Sequence, residues 1–251
     1  MNKSADRIGQ TVINNQGIPV TIIGYRDVHD IDVIFADGSI QKHKQYSGFL
    51  KGKLSSNLYP AFLGVGYLGI GKHKTVDDCG NKTDAYRKWS SMLTRCYSPK
   101  FVKTQNYQRC FVETSWLCFQ NFAEWYYDNS YTVDEPLELD KDIRYKGNKM
   151  YASTTCLLLP HRLNTILCNR AFDRGECVLG VIKNGDKFVA SCCDENTNRE
   201  YIGTFASEQS AFLAYKTRKE AVIKNVVEQY RGVVPDTVLD AVLKYKVEIT
   251  D

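Results

Sequence analysis

A chain of 251 residues with 43% apolar and 25% charged side chains has ordinary globular composition, enough for one large core or two to three small ones. No apolar run approaches the roughly 20 residues that span a bilayer, which excludes a membrane partner from the expectations. The opening Met1-Asn2-Lys3-Ser4-Ala5-Asp6 has no apolar signal core, so a cytoplasmic protein is expected, and a net charge of +4 permits nucleic acid without requiring it.

Residues 7–55 read as a small β unit. Val20 and Ile22, then Ile31, Val33 and Phe35, alternate with period two, and Asp37-Gly38 supplies a turn before Ile40. The basic stretch Gln41-Lys42-His43-Lys44, followed by Lys51-Gly52-Lys53, fits a lysine-protected edge strand or a phosphate-contacting strip. Residues 56–83 are rich in Gly and Tyr and read as an irregular connector. Its Gly-x-Gly spacing lacks the strand–helix unit that a dinucleotide site requires.

From Thr83 the period becomes helical. Tyr86, Trp89, Leu93 and Cys96 recur on one face up to Ser98-Pro99, and Phe119, Phe122, Ala123 and Tyr126 mark a second helix. Asp134-Glu135-Pro136 breaks the chain. Then Leu139-Asp140-Lys141-Asp142-Ile143, Asn148 and Pro160-His161-Arg162-Leu163-Asn164 read as strand, loop, second strand and helix. Asp140 and Asn164 carry hard oxygen donors suited to Mg2+ or Mn2+. His161 and Asn164, three apart, share a helix face, while Leu163, Ile166 and Leu167 turn to the core. Asn148 has the chemistry to hold its loop closed through backbone hydrogen bonds.

Beyond Gly175, strands are predicted at Val178–Lys183, Lys187–Cys192 and Arg199–Phe205, with turns at Asn184-Gly185 and Asn196-Thr197-Asn198. A helix capped by Ser207 follows, with Ala211, Ala214, Tyr215 and Ala221 on its buried face. A short helix opened by Pro235-Asp236 completes a tail over 231–251. The nine cysteines are odd in number and contain no C-x-x-C pair, so no structural zinc is expected. Cys96, Cys118 and Cys156 read as small core residues.

Residues 84 to about 170 resemble the HNH-type (ββα-metal) endonucleases of phages, including the homing kind. The resemblance rests on Trp89-(x)2-Met92-Leu93-(x)-Arg95-Cys96-Tyr97, on Trp116-(x)2-Phe119-(x)-Asn121-Phe122-(x)2-Trp125, on Leu139-Asp140-Lys141-Asp142 and on Gly147-Asn148-Lys149-(x)-Tyr151. It implies a Mg2+- or Mn2+-dependent duplex DNA endonuclease or nickase, with Asp140 and Asn164 as metal ligands and Asn148 as the loop asparagine. Lys141 stands where that family has its base histidine. A lysine is a base only as the free amine, and its acidic neighbours favour the ammonium. His161 is the alternative base. Lys141 is equally suited to neutralising Asp140 and taking the metal's place, which would leave a non-catalytic DNA-binding or regulatory protein.

Residues 171–230 resemble the DNA-binding domain of plant ethylene-response factors (APETALA type), on Gly180-Val181, Phe188-Val189-Ala190, Tyr201-Ile202-Gly203-Thr204-Phe205 and the helix from Ser207. The resemblance implies groove contact by alternate strand residues, here Ile182, Ser191, Cys193, Arg199 and Tyr201, with Lys183 and Lys187 beside them. Ile182 and Cys193 replace arginines of that family, which weakens base readout and leaves phosphate binding by Lys183, Lys187 and Arg199. A sheet that only packs on the rest of the protein is the alternative. The aromatic content of 12% also suits a protein interface, such as one with a host protein. The expected fold is α+β and multi-domain: a small N-terminal β unit, a helical plus ββα centre, and a C-terminal three-stranded sheet packed on one helix.

Overall fold

Alternation in the first 55 residues produces a four-stranded antiparallel sheet in the order β1 (Thr11–Ile13), β2 (Pro19–Asp27), β3 (Asp30–Phe35), β4 (Ile40–Lys44). Val20, Ile22, Ile31, Val33 and Phe35 share one face and close over Phe49 of the short helix α1 (Tyr46–Leu50). The lysine-bearing β4 is an edge strand, and lysines there discourage further strand pairing. The computed structural model describes residues 7–102, 107–167 and 177–251; Cys168 and the predicted boundary between residues 170 and 171 lie outside them.

The described residues form a mixed α+β protein with seven α-helices and several small sheets, in two compact units, Met1–Tyr127 and Asp128–Asp251. No helix among them is long and apolar enough to cross a membrane. In the first unit, Thr83 caps α2 (Asp84–Tyr97) by accepting from Tyr86 N, and Ala85, Trp89, Met92, Leu93 and Cys96 are buried. The short helix α3 (Pro99–Val102), strand β5 (Phe111–Val112) and a 3-10 turn (Thr114–Leu117) lead to α4 (Phe119–Asn129). Trp89 donates its indole N–H to the Trp116 carbonyl at 2.8 Å, which satisfies a polar group that burial would otherwise leave costly. The connector is irregular, and Gly69 sits at φ +77° where a Cβ would strike the Cys118 sulfur. Close backbone approach, and not phosphate binding, accounts for that glycine.

The second unit contains β6 (Leu137–Asp140), β7 (Met150–Tyr151) and β8 (Leu157–Pro160), then α5 (His161–Leu167) directly after β8. A three-stranded antiparallel sheet follows, in the order β11 (Arg199–Phe205), β10 (Lys187–Cys193), β9 (Val181–Asn184). The first of these strands begins at Val181 and not at Val178. Gly180 takes φ +76° and Val181 N bonds the Val178 carbonyl at 3.1 Å, so that segment is a turn.

Helix α6 (Glu208–Glu228) is capped by Ser207 Oγ, which accepts from Ser210 N at 3.2 Å. Its first half packs Ala211, Phe212 and Tyr215 on Val181, Ala190 and Cys192 of the sheet. Its second half packs Val222, Ile223, Val226 and Val227 on Leu157, Leu159, Leu163 and Ile166, together with Val238, Leu239 and Val242 of α7 (Asp236–Leu243). The predicted tail is therefore part of the core. Ala221, expected on the buried face, is exposed; the larger Val222 and Ile223 take that role.

Gly180 offers a direct test of the sheet-on-helix contact, because a Cβ there would land within the Tyr215 ring. Gly180→Ala is expected to cost about 2–4 kcal/mol through positive φ and overpacking. Thermal unfolding checks this, and wild-type stability would mean that Tyr215 yields freely.

Candidate functional site

Strands β6 and β8 pair antiparallel, with Glu138 opposite Leu159 and Asp140 opposite Leu157. Opposed residues share a sheet face, and Leu157 and Leu159 pack with Leu163 and Ile166 of α5. Glu138 and Asp140 therefore project on the side of the hairpin that α5 covers. This gives the strand–strand–helix arrangement its polar edge, built from the alternation Leu137-Glu138-Leu139-Asp140.

Asp140 ends β6 as an Asx-type turn. Its Oδ1 accepts from Asp142 N at 2.8 Å and Ile143 N at 2.7 Å, and its other oxygen accepts from no described residue. Burial pushes its carboxyl above the ordinary carboxylate range, against the two backbone N–H bonds that pull it down. A nearby cation would offset that cost. Asn164 is half-buried on α5, and its side chain makes no hydrogen bond to a described residue. Asp140 and Asn164 each leave a hard oxygen without a hydrogen-bond donor among the described residues, the donor type that magnesium and manganese take.

Lys141 is buried at 5% exposure, an unusual place for a lysine. Its ammonium donates to Asp142 Oδ2 at 2.6 Å and to the Asn148 carbonyl at 2.7 Å, and lies 5.8 Å from the Tyr151 ring centre. It contacts Asp142, so the expected neutralisation of Asp140 by direct pairing is not the bond that forms. The two acids flanking Lys141 diverge because Asp140 turns back onto the backbone. Asn148 completes the clamp: its Nδ2 donates to the carbonyls of Lys141 at 2.8 Å and Met150 at 2.7 Å, and its Oδ1 accepts from Met150 N at 3.1 Å. Lys141 and Asn148 thus hold the loop from both ends.

His161 stands at the start of α5 with Nδ1 3.4 Å from Glu138 Oε1, its side chain 61% exposed. Glu138 is the residue that the sequence reading did not single out, although its position two before Asp140 on a strand was signal enough. Arg162 anchors the centre from behind: its N–H donates to Glu135 Oε2 at 2.6 Å and its guanidinium to the Glu195 carbonyl at 2.5 Å and Gln229 Oε1 at 2.8 Å. Glu195 lies in the β10–β11 turn, so this arginine ties α5 to the C-terminal sheet. Arg218 of α6 adds to the tie through Glu195 and Glu200, and holds the Glu195 carboxyl down at about 2.

On the C-terminal sheet, cross-strand partners assign the faces. Asn184 opposes Lys187, Ile182 opposes Val189, Ser191 opposes Tyr201 and Cys193 opposes Arg199. Lys187, Ser191, Arg199 and Tyr201 share the face away from α6, and the Arg199 guanidinium bonds Ser191 Oγ at 3.1 Å. Lys183 opposes Phe188, which packs toward α6, so it belongs to the other face. Tyr201 is 65% and Ile182 50% exposed.

The described His, Cys, Asp and Glu residues form one group with metal-ligand spacing, Asp30, Asp32 and His43. Arg26 already bonds both carboxylates, at 2.6 and 2.7 Å. Burial pushes the Cys156 thiol up to about 12, as suits a core residue. No known protein family, curated protein or solved structure matches this chain.

Proposed function

We propose that this protein binds duplex DNA and cuts or nicks it at the β6–β8–α5 centre with magnesium or manganese. The observation that carries the reading is the shared face of Glu138, Asp140 and α5, with His161 seated against Glu138. Asp140 and Asn164 would hold the metal, which when bound supplies positive charge to the scissile phosphate and the leaving oxygen. Glu138 faces His161 Nδ1 and leaves Nε2 for a water, so His161 takes the proton of that water as it attacks phosphorus. Lys141 and Asn148 keep the loop in shape and take no proton. The outer face of the C-terminal sheet supplies phosphate contacts through Lys187, Ser191, Arg199 and Tyr201.

A plasmid nicking assay with metal titration tests this. Wild type should convert supercoiled to nicked DNA with Mg2+ or Mn2+, and His161→Ala and Asn164→Ala should each lose about a hundredfold or more, within the range that one base or metal ligand contributes.

A second reading, a non-catalytic DNA-binding protein, is favoured by the buried Lys141 ammonium, which already supplies a fixed positive charge beside the centre. It predicts intact plasmid together with binding whose log K falls against log salt with a slope near −4.5, for about five phosphates. A flat salt dependence would sink both readings.

A further inference from the structure

The loop after Asp140 presents a run of four exposed residues, Arg144-Tyr145-Lys146-Gly147, followed after Asn148 by exposed Lys149. Its base is unusually well fixed. Asp140 bonds the N–H groups of 142 and 143, Lys141 and Asn148 bond across the loop, and Asn148 N bonds the Tyr145 carbonyl at 3.0 Å. Arg144 is held by the Thr154 carbonyl at 3.0 Å, and Lys146 by Asp251 at 2.5 Å. At the tip of this braced loop Tyr145 is 61% exposed, and its hydroxyl has no partner among the described residues.

A large aromatic ring held out to solvent on a rigid loop loses little conformational freedom when it meets a flat partner. Arg144 and Lys149 leave positive charge on both sides of it in sequence, since only Lys146 is neutralised by carboxylates. Tyr145 stands five positions after Asp140, so their Cα atoms lie within about 18 Å of each other. An intact duplex offers edges and phosphates there but no free base face. A strand with an unpaired base offers both a face and a phosphate on each side.

We propose that Tyr145 is a base-stacking residue that directs the centre to DNA carrying unpaired nucleotides, such as a gap, with Arg144 and Lys149 on the adjoining phosphates. This rests on the DNA reading above and narrows its substrate class. The loop clamp then has a purpose beyond folding: it sets the height of the ring relative to Asp140.

The test is fluorescence anisotropy in EDTA with a labelled duplex and the same duplex containing a short central gap. Wild type should prefer the gapped DNA. Tyr145→Ala should lose about tenfold on the gapped DNA and less than twofold on the intact duplex, while Tyr145→Phe keeps the preference. Arg144→Gln and Lys149→Gln should each lower the salt slope on gapped DNA by about one. Unchanged melting temperature in each variant establishes that the exposed side chains are not needed for folding. Equal wild-type affinity for the two DNAs, or equal losses on both in Tyr145→Ala, overturns the stacking role and leaves the general DNA reading standing. Wild-type binding to neither DNA overturns both.

Discussion

Asp140→Asn is expected to abolish metal-dependent strand cleavage, by a hundredfold or more, while leaving the metal-free fold as stable as wild type or more so. The amide oxygen can still accept from Asp142 N and Ile143 N, but it carries no charge into a desolvated corner. The pH dependence has a definite sign. Burial raises the Asp140 carboxyl in the folded state, so its contribution to stability is present below the ordinary carboxylate range and lost as pH climbs through the raised value. The stability advantage of Asp140→Asn over wild type should therefore grow with pH. Manganese should close that gap by stabilising wild type alone. Asp140→Ala removes the acceptor as well and should cost about 1–2 kcal/mol for two freed N–H groups. Melting curves from acid to neutral pH, with and without manganese, separate these cases. A wild type more stable than Asp140→Asn at neutral pH without metal would make the carboxylate a structural anion.

Lys141 should respond in the opposite way. Lys141→Met is expected to destabilise the second unit by about 2–3 kcal/mol, because the Asn148 carbonyl loses a buried donor and Asp142 its partner. The half-exposed position of Asp142, with its side chain at 48%, keeps the loss below that of a fully buried pair. Lys141→His should be destabilised by a similar amount and gain no cleavage, since the shorter imidazole reaches neither acceptor. Limited proteolysis should then find the 144–149 loop. A Lys141→His variant that melts like wild type and nicks DNA faster would identify position 141 as an emptied catalytic slot and refute the clamp.

Much of this architecture was written in local pattern. The alternation from Val20 to Phe35 specifies a one-sided sheet, the Trp89, Leu93, Cys96 spacing specifies α2, and Ser207 specifies where α6 begins. Asn148 was legible too, because an amide in a tight loop has few better partners than backbone. What could not be read locally was direction. Lys141 between two acids looks like a solvated cluster, yet Asp140 turns onto its own following N–H groups and leaves the lysine to go inward. Lys183 and Lys187 look equivalent along the chain, and pairing places them on opposite faces. Helical spacing points to Ala221, but burial on α6 follows the bulk of Val222 and Ile223. Glu138 itself is marked by the alternation Leu137-Glu138-Leu139-Asp140, but its pairing with His161, 23 residues away, is not.

Helix α6 has a consequence for how this protein can change. Its 21 residues run about 30 Å and serve two cores, the sheet at one end and the β6–β8–α5 centre with α7 at the other. A recombination junction placed between centre and sheet would sever α6 from half of what it covers and bare the stripe Val222, Ile223, Val226, Val227 to water. The two cores therefore depend on one helix for their packing. A sheet grafted from elsewhere would be accepted only with a helix whose far end already fits Leu159, Leu163 and Leu239, which leaves the outer strand positions Lys187, Ser191, Arg199 and Tyr201 as those that point substitutions can change without disturbing α6.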